Sequence, residues 1–437
     1  MSARSFTAIV SAIALTLSPI TPAAANERES ALTMSGPGDR IHGADVSRWQ
    51  HPNGKAINFQ KMHKGGLRFL MIKASDTRPE TDRIARRYLY TDRREAQKVG
   101  IYTGFYHYAV LPDVASIEAL TADAQRQARQ VIARLKSLGG YNSLDLPYAL
   151  DLENNCVRYG ANKSCAKYAS RTFVTEWAKS FLATVRDATN RTPIFYSYPA
   201  FLENAMQRDS ELAQYPLWLA QYAVDPFPEL SAPGVKRIGC YVHSWTNSSC
   251  KSEWAIWQYS SCGTASKYGV PGNRLDLNLF RGDPQRFLEL ADGTWSPGEI
   301  EFMPFNETTT IKLDYLTATT HDKDVLASIQ VFRPDSAPVV TGDVKFFLLT
   351  DGEQIAFKQS ALRVANGMWK IEIKGLVAGT YSGEFRFSDV SNTHRKIKVA
   401  VDFTITQNPD PVVAPSPEPE VSPKARPGDS CRGQFKS

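Results

Sequence analysis

The sequence lacks any apolar run approaching the roughly 20 residues that cross a bilayer, so a helical membrane span is not expected. It lacks Cys-x-x-Cys and His-x-x-x-His spacings, which removes the common zinc frameworks, and no metal or other cofactor is expected. No dense Lys/Arg run with interleaved aromatics occurs, so nucleic acid is not an expected partner. No Gly-x-Ser-x-Gly elbow announces a serine nucleophile, and no internal repeat is visible.

What is present begins with a short leader. Arg4 supplies a basic start, Phe6 to Leu17 an apolar run, and Ala23-Ala24-Ala25 a small-residue end. This is the pattern of a secretory signal peptide over residues 1–25, and it predicts a secreted, extracellular or wall-associated protein. The net charge of +6 falls by one when the leader is removed, and a mildly basic exported protein is drawn toward anionic surfaces. Charge alone names no partner. In an oxidising compartment the six cysteines suit disulfides. Many pairings are open to Cys156, Cys165, Cys240, Cys250, Cys262 and Cys431. The close pair Cys156 and Cys165 is the favoured bridge, worth about 3 kcal/mol on the loop-entropy model.

Residues 26–40 are polar and read as a flexible lead-in. From Ile41 the chain alternates short β-branched or aromatic runs with helical patterns, which points to a parallel sheet covered by helices. Strands are predicted over 41–49, 69–75, 102–109, 147–153, 192–198, 217–222, 254–259 and 275–280. Eight strands over about 250 residues is the size of a (β/α)8 barrel. Ile117, Leu120, Ala124, Val131 and Leu135 repeat at helical steps, as do Phe173, Trp177, Phe181 and Val185. No such period separates the last three strands. The fold class expected is therefore α/β, an irregular TIM-like barrel of five βα units and then three strands, spanning 41–290. Beyond a Gly/Ser/Pro turn near Asp292 to Gly298, about seven short strand-like runs over 299–407 suggest an immunoglobulin- or fibronectin-like β-sandwich. Residues 408–437 read as a Pro-rich disordered tail.

The sharpest local feature is Ala149-Leu150-Asp151-Leu152-Glu153. Strand side chains alternate, so Asp151 and Glu153 share one face and the leucines the other. Leucines suit the helix-covered outside of a barrel, which turns the acids toward the axis at the carboxyl end of the strand, where barrel active sites lie. Two close carboxylates push each other's pKa values apart, giving one that holds a proton and one that stays ionised, the division of labour that glycoside hydrolysis requires. A lone Asp-x-Glu is weak evidence, since acids at strand ends often cap loops or pair with arginine. Asp45 on strand one and Asp276 on strand eight strengthen it, because closing a barrel makes those strands neighbours. Four inward acids are a costly way to build a core.

With those residues in view, the chain resembles the glycoside hydrolase family 25 lysozymes, also called the Chalaropsis type. The resemblance covers roughly residues 41–285 and rests on GADVSRWQ, GFYHYA, ALDLE, LWLAQY, WAIWQY and RLDLNLF, in that order. It implies cleavage of the β-1,4 bond between N-acetylmuramic acid and N-acetylglucosamine in peptidoglycan glycan strands, by an enzyme without a cofactor. Glu153 is implied as general acid/base. Asp151 would orient the substrate's 2-acetamido group as it attacks the anomeric carbon, or act on that carbon itself. Asp45 and Asp276 would position Glu153 and the sugar. Tyr106, Tyr196, Trp218 and Tyr222 are candidate sugar-stacking rings, each with core packing as the competing reading, and Gln258 a candidate polar contact. His107 and His42 read as structural hydrogen-bonding residues.

The cysteine-bearing loop Asn154 to Lys167 and the insertion Asp225 to Ser252 depart from the family pattern and are expected at the barrel mouth. A chitinase would need acids at alternate positions before the final Glu, and Pro147 and Ala149 break that pattern. The non-enzyme alternative is an inactive barrel that binds wall glycan for adhesion or targeting. A monomer is expected.

Overall fold

The computed structural model describes residues 22–406, apart from 223–232, 235, 237–239, 300, 304–306, 318–324, 351–352, 356–357, 365–366 and 390–392. The predicted leader therefore lies almost wholly outside the described residues, and the predicted tail and Cys431 entirely so.

Eight strands close a barrel: β1 (Ile41–Val46), β2 (Leu67–Asp76), β3 (Tyr102–Tyr108), β4 (Asp145–Asp151), β5 (Ile194–Ser197), β6 (Leu217–Ala220), β7 (Trp254–Thr264) and β8 (Arg274–Phe280). They follow one another around the barrel in chain order, with β8 beside β1. The first seven run parallel, whereas β8 runs antiparallel to both neighbours. The parallel sheet expected therefore holds for the first seven strands and not for the last. The β7–β8 connection carries only the 3-10 turn Ala265–Tyr268, and so short a link permits a hairpin but not a parallel crossover, which needs a dozen or more residues.

Helices α2 (Phe59–Lys64), α3 (Pro79–Lys98), α4 (Ile117–Ser137), α5 (Arg171–Thr189) and α6 (Pro199–Ala205) follow the first five strands. The α4 stripe packs Leu120, Ala124, Val131 and Leu135 into the shell between helices and strands, and α5 adds Trp177, Phe181 and Val185. Ile117, expected in that stripe, is 40% exposed because it opens α4, one residue after the Ser116 cap, where the helix has not yet reached the barrel. Inside the barrel a second cluster includes Phe69, Met71, Leu146, Ala149, Ile194 and Ile256. Glycine at positions 43 and 104 makes room for it: a Cβ on Gly43 would overlap the Phe69 ring, and one on Gly104 the Met71 sulfur.

The amino-terminal end of the barrel is closed by α7 (Pro284–Asp292), whose Phe287 and Leu290 join the inner cluster. Residues 26–40 do not form the free lead-in predicted from their polarity. Helix α1 (Pro22–Ala31) docks there. Arg28 donates to both carboxylate oxygens of Asp292 at 2.9 and 3.0 Å and to the Tyr102 hydroxyl at 3.2 Å, while Leu32 is buried. Composition reports local polarity; a bidentate anchor to a carboxylate far along the chain lies beyond its reach.

The remaining described residues form two four-stranded antiparallel sheets. One has β9 (Thr310–Thr317), β10 (Val325–Phe332), β14 (Met368–Lys374) and β13 (Lys358–Val364) in that order. The other has β12 (Glu353–Ile355), β11 (Asp343–Thr350), β15 (Gly379–Ser388) and β16 (Ile397–Ile405). Alternate residues such as Ile329, Ile371, Phe346 and Phe385, drawn from both sheets, bury one core around Trp369.

Candidate active site

β4 ends at Asp151. Leu150 and Leu152 are fully buried in the outer shell, while Ala149 belongs to the inner cluster. The alternation thus aims Asp151 and, just past the strand end, Glu153 into a cavity of about 550 Å³ at the barrel mouth. All nine residues predicted for catalysis and substrate binding line it: Asp45, Asp151, Glu153, Asp276, Tyr106, Tyr196, Trp218, Tyr222 and Gln258. Asp45 and Asp276 face each other directly across the β1–β8 ladder.

Asp45 is the end point of two donor chains. Its Oδ2 accepts from Gln258 Nε2 at 2.7 Å and from Asn278 Nδ2 at 2.8 Å. The Gln258 carbonyl in turn accepts from the hydroxyls of Tyr196 (2.9 Å) and Tyr222 (2.6 Å), and the Asn278 carbonyl from Trp218 Nε1 (2.8 Å). Every donor points toward one carboxylate oxygen, which favours the charged form against the cost of burial. Burial foremost lifts Asp45 to about 6, with these hydrogen bonds opposing it. Asp276 is pushed further, to about 8, by burial and then by the Asp45 charge. Near neutral pH the pair therefore carries one proton, held on Asp276 and shared with Asp45. Asp151 is raised well above the usual carboxylate range by burial first and by Glu153 second, and Lys73 works against the shift. Its Oδ1 is buried without a hydrogen-bond partner among the described residues.

The aromatic candidates lie where expected, yet their exposure separates them. Trp218, Tyr196 and Tyr106 are 1, 8 and 9% exposed and form the floor, whereas Tyr222 is 38% exposed and can offer a ring face. Gln258, expected to touch sugar, has both ends of its amide engaged within the protein. Sequence reasoning missed the opposite wall. Trp49 lines the cavity with 71% of its surface exposed, and the Arg48 guanidinium lies 4.5 Å over its ring. Lys73 and Arg78 both bind the buried Asp76 at 2.8 Å and flank the Tyr108 ring. An aromatic shortly past the β1 end was the available signal for Trp49. Asn278, which orients Asp45, stood in the RLDLNLF motif as the next inward residue after Asp276.

His107 sits outside the cavity, fully buried between Ser75 Oγ and Gln127 Oε1, each at 2.9 Å. His42 bonds the Tyr259 hydroxyl at 3.1 Å. Cys156 and Cys165 are bridged as favoured, pinning the hairpin that follows Glu153; Cys240 bonds Cys250, and Cys262 is also disulfide-bonded. The insertion from Asp225 to Ser252 lies partly outside the described residues. Among the described residues no helix is long and apolar enough to cross a membrane, and no three His, Cys, Asp or Glu side chains are placed to hold one metal ion.

Residues 44–268 match the model of the glycosyl hydrolases family 25. Lysozyme M1 of Streptomyces globisporus is 30% identical over 269 residues, covering 59% of this chain and 74% of that protein. The N,O-diacetylmuramidase of Chalaropsis sp is 27% identical over 211 residues, 48% of this chain and 88% of its own length. Among solved structures, the bacterial lysozyme from Streptomyces coelicolor is similar at 27% identity, covering 59% of this chain and 99% of its own, with a TM-score of 0.43.

Proposed function

The chain belongs to the glycosyl hydrolases family 25 and is an enzyme of the lysozyme type, and from that premise we propose that it hydrolyses the β-1,4 bond between N-acetylmuramic acid and N-acetylglucosamine by substrate-assisted carboxylate catalysis. The observation that carries the proposal is the meeting of Asp45, Asp151, Glu153 and Asp276 in one cavity at the carboxyl end of the barrel strands.

Glu153 is the general acid, supplied with the proton that burial holds on its hydrogen-bonded neighbour Asp151. It stands beyond the strand end, less buried than Asp151, where it can reach a glycosidic oxygen. It protonates the leaving oxygen and afterwards takes a proton from the incoming water. Asp151 is the partner of the 2-acetamido group. No N–H donor reaches its buried Oδ1 among the described residues, which leaves that oxygen to an amide N–H of the sugar, and that contact would steer the acetamido oxygen onto the anomeric carbon. Asp45 and Asp276 are positioning residues that hold one proton between them and set the field felt by Glu153. Stacking falls to Tyr222 and Trp49, the exposed rings, rather than to the buried Trp218.

The finer architecture is read as five βα units followed by three strands over 41–290, with an immunoglobulin-like sandwich over 299–407. The order of helices and the two packed sheets support it. The leader pattern supports secretion, and a monomer is expected. The test is turnover of purified peptidoglycan by the wild type and by Glu153→Gln, with mass spectrometry of the released ends. Reducing N-acetylmuramic acid ends, falling about 10²- to 10⁴-fold in the variant, are expected. Wall binding without release from any peptidoglycan would replace this reading with that of a glycan-binding barrel.

A further inference from the structure

The outer face of the second sheet carries a charge arrangement that stability alone does not favour. Lys345 on β11, Arg386 on β15 and Lys398 on β16 stand directly opposite one another across three adjacent strands. Like charges facing each other across a ladder repel. Among the described residues one carboxylate answers them: Glu384 pairs with Arg386 and, at 3.2 Å, with Lys398. Lys396, one residue before β16 begins, also lines the groove, so among the described residues four cations share one acid there. Asp343 and Asp402 lie on these strands but do not line the groove, and Asp402 accepts from the Ser382 hydroxyl at 2.6 Å.

The groove has a shape as well as a charge. Its volume is about 430 Å³, and its floor is the half-buried Phe347, with the Arg386 guanidinium stacked 4.0 Å above the ring. That stacking holds the guanidinium in a fixed orientation while the Lys398 side chain stays 71% exposed. Strands lie about 4.8 Å apart, so the row presents three cations along a line of roughly 10 Å.

We propose that this groove binds a linear wall polymer whose backbone carries phosphodiester anions. A row of cations at near-regular spacing matches charges strung on one thread. Carboxylates on separate side branches would not meet all three. No large apolar side chain projects from the groove to enter a bilayer, since Phe347 lies beneath Arg386. The choice of a wall polymer rests on the wall-hydrolase reading above; the cation row does not. Held there, the sandwich would keep the barrel on its substrate by raising the local concentration of wall.

The experiment measures binding of the full mature chain to purified Gram-positive walls, before and after hydrofluoric acid removes phosphodiester-linked polymers. Lys345→Ala/Lys398→Ala is compared at two salt concentrations, with Lys345→Glu/Lys398→Glu as a charge-reversed control. The wild type should lose roughly tenfold in affinity on stripped walls, and the alanine variant the same on intact walls, with a shallower salt dependence. The alanine variant should melt close to the wild type, because it removes the repulsion with Arg386 and the exposed Lys398–Glu384 pair together. Equal binding to stripped and intact walls, or equal binding by the charge-reversed variant, overturns the proposal. So does tighter binding to anionic lipid vesicles or to duplex DNA than to walls. Binding is read without turnover, so an inactive barrel would leave this outcome legible.

Discussion

Asp276→Asn separates the electrostatic design of the site from its folding. In the wild type, burial and Asp45 raise Asp276 from 3.8 to about 8. An unfolded chain releases that proton near 3.8, so between the two values the folded state binds more protons than the unfolded one, and stability falls as pH rises. Holding a proton to one pH unit higher in the folded chain is worth about 1.4 kcal/mol, and across the window from pH 4 to pH 8 that sets a ceiling of roughly 5 kcal/mol. The proton is shared with Asp45, so the ceiling belongs to the pair and the loss from Asp276 alone lies below it. Asparagine keeps the shape and still donates to Asp45, but it has no proton to lose. The variant should therefore be more stable than the wild type at pH 8, and the gain should shrink toward pH 4. Urea denaturation at pH 4.5, 6 and 8 reads the slope. A variant whose stability declines with pH as steeply as the wild type would refute the assignment of the raised titration to Asp276. Activity should fall at the same time, the usual exchange between stability and a strained site.

Trp49→Ala should raise KM about tenfold on glycan oligomers and leave the melting temperature unchanged, since the ring is mostly exposed; a change in kcat alone would count against a stacking role. Gly104→Ala should destabilise the barrel by about 1–3 kcal/mol, because its Cβ would collide with Met71 inside a filled interior. When it is combined with Met71→Ala, the two losses should be less than additive in thermal melts, since the added methyl fills space that the truncation opens.

Residues with strong local signatures were legible in the sequence. The Asp-x-Glu spacing turned both acids inward because strand alternation is a local geometric rule, and Leu150 and Leu152 lie in the outer shell accordingly. The helical stripes of α4 and α5 were readable for the same reason, except at Ile117, where the helix begins before the contact does. Cys156 and Cys165 were close enough in the chain for proximity to choose the bridge.

What lay out of reach depends on partners distant in sequence. The reversal of β8 became visible only when β7 proved to run on to Thr264, past its predicted end at 259, leaving too short a link for a parallel crossover. Arg28 finds Asp292 across 264 residues, so a segment of unpromising composition became part of the barrel's closed end. Residue type and strand position put Trp218 and Gln258 in the cavity; only packing decided that one is floor and the other a brace for Asp45. The cation row of Lys345, Arg386 and Lys398 is invisible in a chain where the three are scattered among ordinary surface charges, and it exists only once strand register aligns them. By itself the sequence determined the chemistry available and the face on which each strand carries it, because period and composition are local. Tertiary structure decided which groups share a proton, which rings are open and which charges oppose, because each of these is a distance between residues far apart in the chain.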